Sequence, residues 1–261
     1  MDIEAYLHKD YILSLIRQKR RVDDRDFEEF RPLAITKGYV STKADGSAHV
    51  ALGNTKVVVG ISIELGEPYP DKPEEGVLST SAELRPMASP YFEPGPPRED
   101  AIELARVVDR GIRESGMLPL DKLFIEDGKV WVVYVDIHVL DHDGNLIDAS
   151  GIAAAAALSE TKLPRYEDGE LIKGEYQGNL PLNGIAIPVT TIRIEDELLV
   201  DPCLKEEYAQ ECRLTVTTMD KNIHSMQKGG GHGSLKPQQV EMAIDYAFMH
   251  APQIRKEIEK A

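Results

Sequence analysis

An apolar run at residues 130–140, an acidic turn at 141–148 and an alanine-rich stretch at 151–158 follow one another without a gap, and that order leaves few folds open. Trp131, Val133, Val135, Ile137 and Val139 share one strand face, while Val130, Val132 and Tyr134 give way to Asp136 and His138 on the other. This alternation predicts a strand with one face in the core throughout and the other turning polar toward its end. The alanines then predict a helix, so the segment reads as strand, turn, helix, a geometry that aims free backbone N–H groups at an anion. The turn Asp141-His142-Asp143-Gly144-Asn145-Leu146-Ile147-Asp148 nevertheless holds no Lys or Arg, and Asp136 adds a further carboxylate. A phosphate there would gain the helix dipole and meet several like charges, each costing about 1 kcal/mol even in high dielectric. The turn has the shape of a phosphate site and the wrong chemistry for one.

The rest of the chain supplies strands and helices in a similar rhythm. Ile3, Leu7, Ile12, Leu15 and Ile16 predict a helix over residues 3–18, and residues 19–25 read as a solvated, mixed-charge connector. Strands are expected at 33–41, 47–52, 55–65 and 77–84, the first three as an antiparallel meander with turns at Ala44-Asp45-Gly46 and Gly53-Asn54. Five prolines between Pro86 and Pro97 exclude regular structure and require something to dock on that loop. A helix follows at 99–116 with Ile102, Ala105, Val108 and Ile112 inward, then strands at 123–126 and 130–140. Residues 163–184 read as a long connection. Beyond it come strands at 187–194, 198–200 and 213–219, and a helix from Pro237 with Val240, Ile244, Ala247 and Phe248 inward. Strands then helix, twice over, predict a pseudo-duplicated α+β architecture: an N-terminal helix and connector at 1–30, a first half at 31–180 and a second at 181–261.

Composition excludes several function classes. With 261 residues and a net charge of −15, the chain has no general attraction for nucleic acid or anionic lipid, so any RNA contact must be local. Its start is not a signal segment and its longest apolar run is too short for a bilayer, which predicts a soluble, cytoplasmic protein with no membrane partner. Cys203 and Cys212 have no zinc-site spacing and read as ordinary thiols.

Arg106, Arg110 and Arg113 share one helical stripe, and three guanidiniums in a row suit a string of phosphates. The plainer reading pairs them with Glu103 and Asp109 on the same helix. His138, Asp141, His142, Asp143 and Asp136 have donor types that suit a metal, but alternating strand faces split them, and Asp and Gly are simpler turn formers. Lys228-Gly229-Gly230-Gly231-His232 lacks the Gly-Lys-Ser/Thr ending of a phosphate loop and reads as a flexible connector.

Arg31-Pro32, the hairpin Ala44-Asp45-Gly46-Ser47-Ala48 with Gly53-Asn54-Thr55-Lys56-Val57, the Asp143-Gly144 turn and Gln227-Lys228-Gly229-Gly230-Gly231 together resemble the RNase PH family over essentially the whole chain. The stretch from Met87 to Pro97 and the turn from Asp141 to Asn145 resemble one branch more closely, the non-catalytic RNase PH-like subunits of the archaeal exosome. In catalytic members inorganic phosphate attacks the last phosphodiester of an RNA 3′ end and releases a nucleoside diphosphate. That chemistry needs donors around the phosphate, and carboxylates to hold a metal or position a proton. The positions matching the family's phosphate-holding Thr or Ser and Arg are Leu146 and Ile147, which donate no side-chain hydrogen bond. The family's acidic cluster is matched by Glu206-Glu207, but its final Asp is Arg213, and the arginine-rich segment before the first helix is replaced by the proline loop.

The resemblance therefore implies an RNase PH-like fold with no catalytic residues, no metal and no cofactor. It implies three such chains alternating with three catalytic RNase PH-like subunits in a hexameric ring, with RNA-binding cap subunits and a channel for single-stranded RNA. Arg106, Arg110 and Arg113 would lie near the subunit junction, with Arg106 and Arg110 the better candidates for RNA contact. Two alternatives are a self-sufficient phosphorolytic exoribonuclease using other residues, and an architectural ring subunit that never touches RNA.

Overall fold

The structure is a computed structural model that describes residues 3–40, 42–167 and 169–261. The side chains of residues 3–7 and 173 lie outside that description, and with them the expected inward positions Ile3 and Leu7; so does Ser41, the expected end of the first strand.

Helix α1 (Ile3–Arg17) buries Ile12, Leu15 and Ile16, as its periodicity predicts. Strands β1 (Leu33–Lys37), β2 (Gly46–Leu52) and β3 (Thr55–Gly66) form the expected antiparallel meander. After β4 (Val77–Leu84) the chain crosses through α2 (Glu99–Ser115) and the short β5 (Phe124–Glu126) to β6 (Lys129–Asp141). β6 lies between β3 and β4, antiparallel to the first and parallel to the second, and a parallel pair needs such a helical crossover. Next come α3 (Leu146–Glu160), β7 (Lys162–Glu167) and β8 (Glu170–Asn179). The second half holds β9 (Ile187–Ile194), β10 (Glu197–Val200), α4 (Leu204–Ala209), β11 (Cys212–Met219), β12 (Asn222–Gly229) and α5 (Pro237–Lys260). Its sheet runs β10-β9-β11-β12, antiparallel throughout.

Helix α3 sits between the two sheets, packing on β2 and β3 on one side and β9 on the other. Every residue from Ile147 to Leu158 is buried, which explains why the helix has no polar face. Small side chains let both sheets approach: a Cβ at Gly151 would stand 2.4 Å from Pro188 Cγ.

Four sequence expectations are corrected. Residues 163–184 are not a plain connection, because β7 and β8 pair there as a two-stranded antiparallel ribbon despite Pro164 and several glycines. The connector at 19–25 is not simply solvated, since Arg21 is 1% exposed and ion-paired with Glu206 of α4. Ile102 faces outward at 48% exposure, and Leu104 and Val107 join Ala105, Val108 and Ile112 in the buried face of α2. The glycines at 229–231 are not slack: Gly230 and Gly231 both have φ near +58°, and a Cβ on Gly231 would fall 2.3 Å from the Glu211 carbonyl oxygen.

Candidate functional site

The acidic turn is built from the end of β6, the first turn of α3 and residues brought from both halves. Helix α3 begins at Leu146, earlier than the alanine stretch suggests, and its N-cap is Asn145, in the left-handed region at φ 51°. The aspartates are therefore not the cap. Asp141 pairs with Lys56 at 3.1 Å, and Asp143 Oδ2 accepts from Asn54 Nδ2 at 3.1 Å. The proline loop docks on the turn: His142 donates its backbone N–H to the Ala88 carbonyl at 3.1 Å and stacks on Phe92 with ring centres 5.3 Å apart. That loop needs no other element to hold it.

A guanidinium does approach the turn, from far away in sequence. Arg31 donates to the carbonyl oxygens of Asp143 at 2.7 Å and Gly144 at 3.3 Å, and to both carboxylate oxygens of buried Asp201 at 2.8 and 2.9 Å. Burial alone would raise the Asp201 carboxyl; the hydrogen bonds and charge of Arg31, with Asn145, outweigh it and hold the group below its ordinary value. Arg31 is consumed in joining the halves and offers nothing to a ligand.

Asn145 Nδ2 bridges Asp201 at 2.7 Å and Asp148 at 2.8 Å. Asp148 is fully buried and also accepts the Thr190 backbone N–H at 2.9 Å and hydroxyl at 2.7 Å. Burial pushes its carboxyl up to about 7 against those donors. Between the unfolded value of about 4 and the folded value, the folded chain keeps a proton that the unfolded chain has lost. This contribution to stability is present at acid pH, falls as pH rises through that window and is flat above it. Urea unfolding should show Asp148→Asn relieved of that decline, by an amount on the order of 1–3 kcal/mol relative to the parent chain. Parallel pH profiles for the two proteins would refute the assignment.

Beside the turn opens a cavity of about 430 Å³, and the positions singled out in sequence converge on it: Leu146, Ile147, Glu207 and Arg213 all line its walls. The floor offers apolar side chains where a phosphate would need donors. Arg213 is no free cation, because it pairs with Glu103 of α2 at 2.7 Å. The two adjacent glutamates are divided between jobs. Glu206 is buried against Arg21, while Glu207 faces the cavity and accepts the Asn145 N–H at 2.8 Å, its carboxyl raised to about 7 by burial.

The arginine stripe divides as well. Arg113 is tied down by two contacts to Asp109, at 2.9 and 3.0 Å, and one to the Leu78 carbonyl at 3.0 Å. Arg110 reaches Gln227 of β12 at 3.0 Å. Both Arg106 and Arg110 are exposed and line an open cleft of about 460 Å³ between α2 and β12. Gln227 belongs to that cleft and carried no sequence signal, since β12 is a polar edge strand. The metal-type residues are dispersed: His138 Nδ1 lies 3.3 Å from Glu83, and Asp136 accepts from Ser81 at 2.7 Å. Among the described residues no three His, Cys, Asp or Glu groups converge as a metal site would require, nor is any helix long and apolar enough to cross a membrane.

Comparison with known proteins completes the picture. The 3′ exoribonuclease family, domain 1, matches residues 29–164, and domain 2 of that family matches residues 184–249. The exosome complex component Rrp42 of Thermococcus gammatolerans is 51% identical, covering 98% of this chain and 95% of the relative. That of Methanopyrus kandleri is 49% identical over 99% of this chain and 98% of its own length. A chain of the Archaeoglobus fulgidus exosome with RNA bound to the active site superposes with a TM-score of 0.90 and 47% identity, covering 98% of this chain and 99% of that one. Rice Rrp46, at 19% identity and TM-score 0.70 over 92% of this chain and 98% of that one, shares the fold. With both halves matched in order and half of all residues shared with such relatives, the chain belongs to the RNase PH family of 3′ exoribonucleases.

Proposed function

We propose that this chain is a non-catalytic, RNA-binding ring subunit of an exosome, supporting phosphate-dependent 3′-to-5′ RNA degradation by a paired catalytic RNase PH-like subunit. One observation carries the reading. In the cavity where phosphorolysis would occur, Leu146 and Ile147 stand in place of donors, and the one guanidinium, Arg213, is neutralised by Glu103. Attack by phosphate needs cations around a multiply charged transition state, and three carboxylates there, on Asp100, Glu103 and Glu207, oppose it. The likeness to archaeal exosome chains supports a ring of three such subunits alternating with three catalytic ones, assembled in the cytoplasm with RNA-binding cap subunits.

Arg106 and Arg110 are the residues through which the chain would touch RNA. They are exposed, neighbouring and unengaged by carboxylates among the described residues, so they can meet successive phosphates of a single strand without reading its sequence. Arg113, held by Asp109, would contribute at most field.

The chain alone should release no nucleoside diphosphate from RNA with phosphate, whereas a ring co-assembled with a catalytic homologue should. In that ring, Arg106→Glu with Arg110→Glu should weaken RNA binding roughly tenfold and flatten its salt dependence, with the mass of the particle unchanged. Robust turnover by the chain alone would establish a self-sufficient enzyme, and unchanged RNA affinity would establish a purely architectural subunit.

A further inference from the structure

The cavity beside the acidic turn has lost what phosphate needs, yet it has not collapsed. At about 430 Å³ it lies within the range of roughly 300–1,000 Å³ typical of small-ligand sites. Its walls fall into two kinds. Leu84, Leu104, Leu146 and Ile147 are aliphatic, and Phe92 stacked on His142 adds a flat aromatic side. Opposite them stand Glu207, Gln210 and Arg213, a short row of mixed donors and acceptors.

That polar row is incompletely satisfied. Gln210 Oε1 and Arg213 Nε are both shielded from solvent and have no hydrogen-bond partner, one an acceptor and the other a donor. A buried polar atom left unpaired costs about 1–3 kcal/mol, so the protein alone does not account for the arrangement. The row also discriminates among ligands. A free phosphate would face the carboxylates of Asp100, Glu103 and Glu207 with only a neutralised guanidinium in return. A hydrocarbon would leave the row unpaired. An arginine-like cation could serve Gln210 and Glu207 but would set a second guanidinium against Arg213, whose Nε needs an acceptor. A nucleobase meets all the demands at once, since its edge presents donors and acceptors side by side and its faces are apolar and stack on aromatic rings.

We propose that this cavity is a nucleobase site that takes an unphosphorylated nucleoside or the base of an RNA end, its edge on Glu207, Gln210 and Arg213 and its face against Phe92 and His142. This goes beyond the reading of the chain as a non-catalytic subunit, because it assigns the disused cavity a ligand of its own. It also differs from the site it replaces: recognition is by the base and excludes the phosphate.

Calorimetric titration of the full chain with adenosine, guanosine, cytidine and uridine tests it. At least one nucleoside should bind at submillimolar concentration, and inorganic phosphate should not displace it. Leu146→Trp, which fills the cavity, should weaken binding by at least roughly tenfold, and Gln210→Ala should do the same by removing one edge partner, so a folding failure of the first variant leaves the second decisive. A short oligoribonucleotide with a free 3′ end then identifies the source. Displacement of the nucleoside assigns the site to an RNA end, and no displacement assigns it to the free nucleoside; either upholds a base site. Absence of binding by all four nucleosides, binding of free arginine in their place, or full affinity in Gln210→Ala would overturn the proposal. None of these outcomes depends on ring assembly or on turnover, so failure here leaves the assignment as a ring subunit standing.

Discussion

Arg21→Met should destabilise the chain by about 3–5 kcal/mol, a large share of the roughly 5–15 kcal/mol that holds a typical domain folded. The Arg21 and Glu206 side chains are both 0% exposed, joined by two bonds of 2.9 and 2.7 Å. The same guanidinium donates to the carbonyl oxygens of Val200 and Asp201, each at 2.9 Å. Burial by itself would make the arginine easier to deprotonate, but Glu206 reverses this and raises its affinity for the proton. Methionine fills much of the volume and leaves a buried carboxylate and two carbonyls without their donor. The urea midpoint should fall accordingly. Adding Glu206→Gln should recover more than half of the loss: the buried charge disappears, while the amide oxygen still accepts from Cys203 N, which Glu206 meets at 3.0 Å. A single variant within about 1 kcal/mol of the parent would show that the pair does not secure the N-terminal segment.

Gly144→Ala is the second change expected to be severe. Gly144 has φ near +86°, where a side chain costs roughly 1–2 kcal/mol. There is also no room, because a Cβ would stand 2.5 Å from Cys203 C and Leu204 N and 2.6 Å from the Pro202 carbonyl oxygen. These are backbone atoms at the start of α4, so relief requires the two halves to separate, adding about 1–3 kcal/mol of overpacking. The melting temperature should drop by several degrees or more, and the cavity should widen as α4 moves. An alanine variant that melts with the parent would mean that the turn and α4 are not in contact.

Particular elements show where sequence was sufficient. β6 was legible because its side chains alternate over 13 residues, and the inner face is buried along its length. The start of α3 was not, since Leu146 and Ile147 follow turn residues and the cap is an asparagine in a left-handed conformation. α4 is only 6 residues long and β12 is a polar edge strand, so neither carries a hydrophobic period. The β7–β8 ribbon was hidden because Pro164, Gly169, Gly174 and Gly178 mark turns locally, and only pairing along the ribbon overrides them. Ile102 misled for the opposite reason: its spacing fits the buried face of α2, yet the cleft beside β12 leaves it exposed.

At the site the division follows the range of the interactions. Sequence alone determined the order of strands and helices, the family resemblance and the loss of phosphate donors at Leu146 and Ile147, because each depends on side-chain type and local spacing. Only the tertiary structure decided which charges remain for a ligand. Arg21, Arg31 and Arg213 are neutralised by Glu206, Asp201 and Glu103, lying 185, 170 and 110 positions away, while Arg106 and Arg110 stay at the surface. Backbone periodicity is written along the chain, but an ion pair exists only where folding brings two distant side chains within about 3 Å.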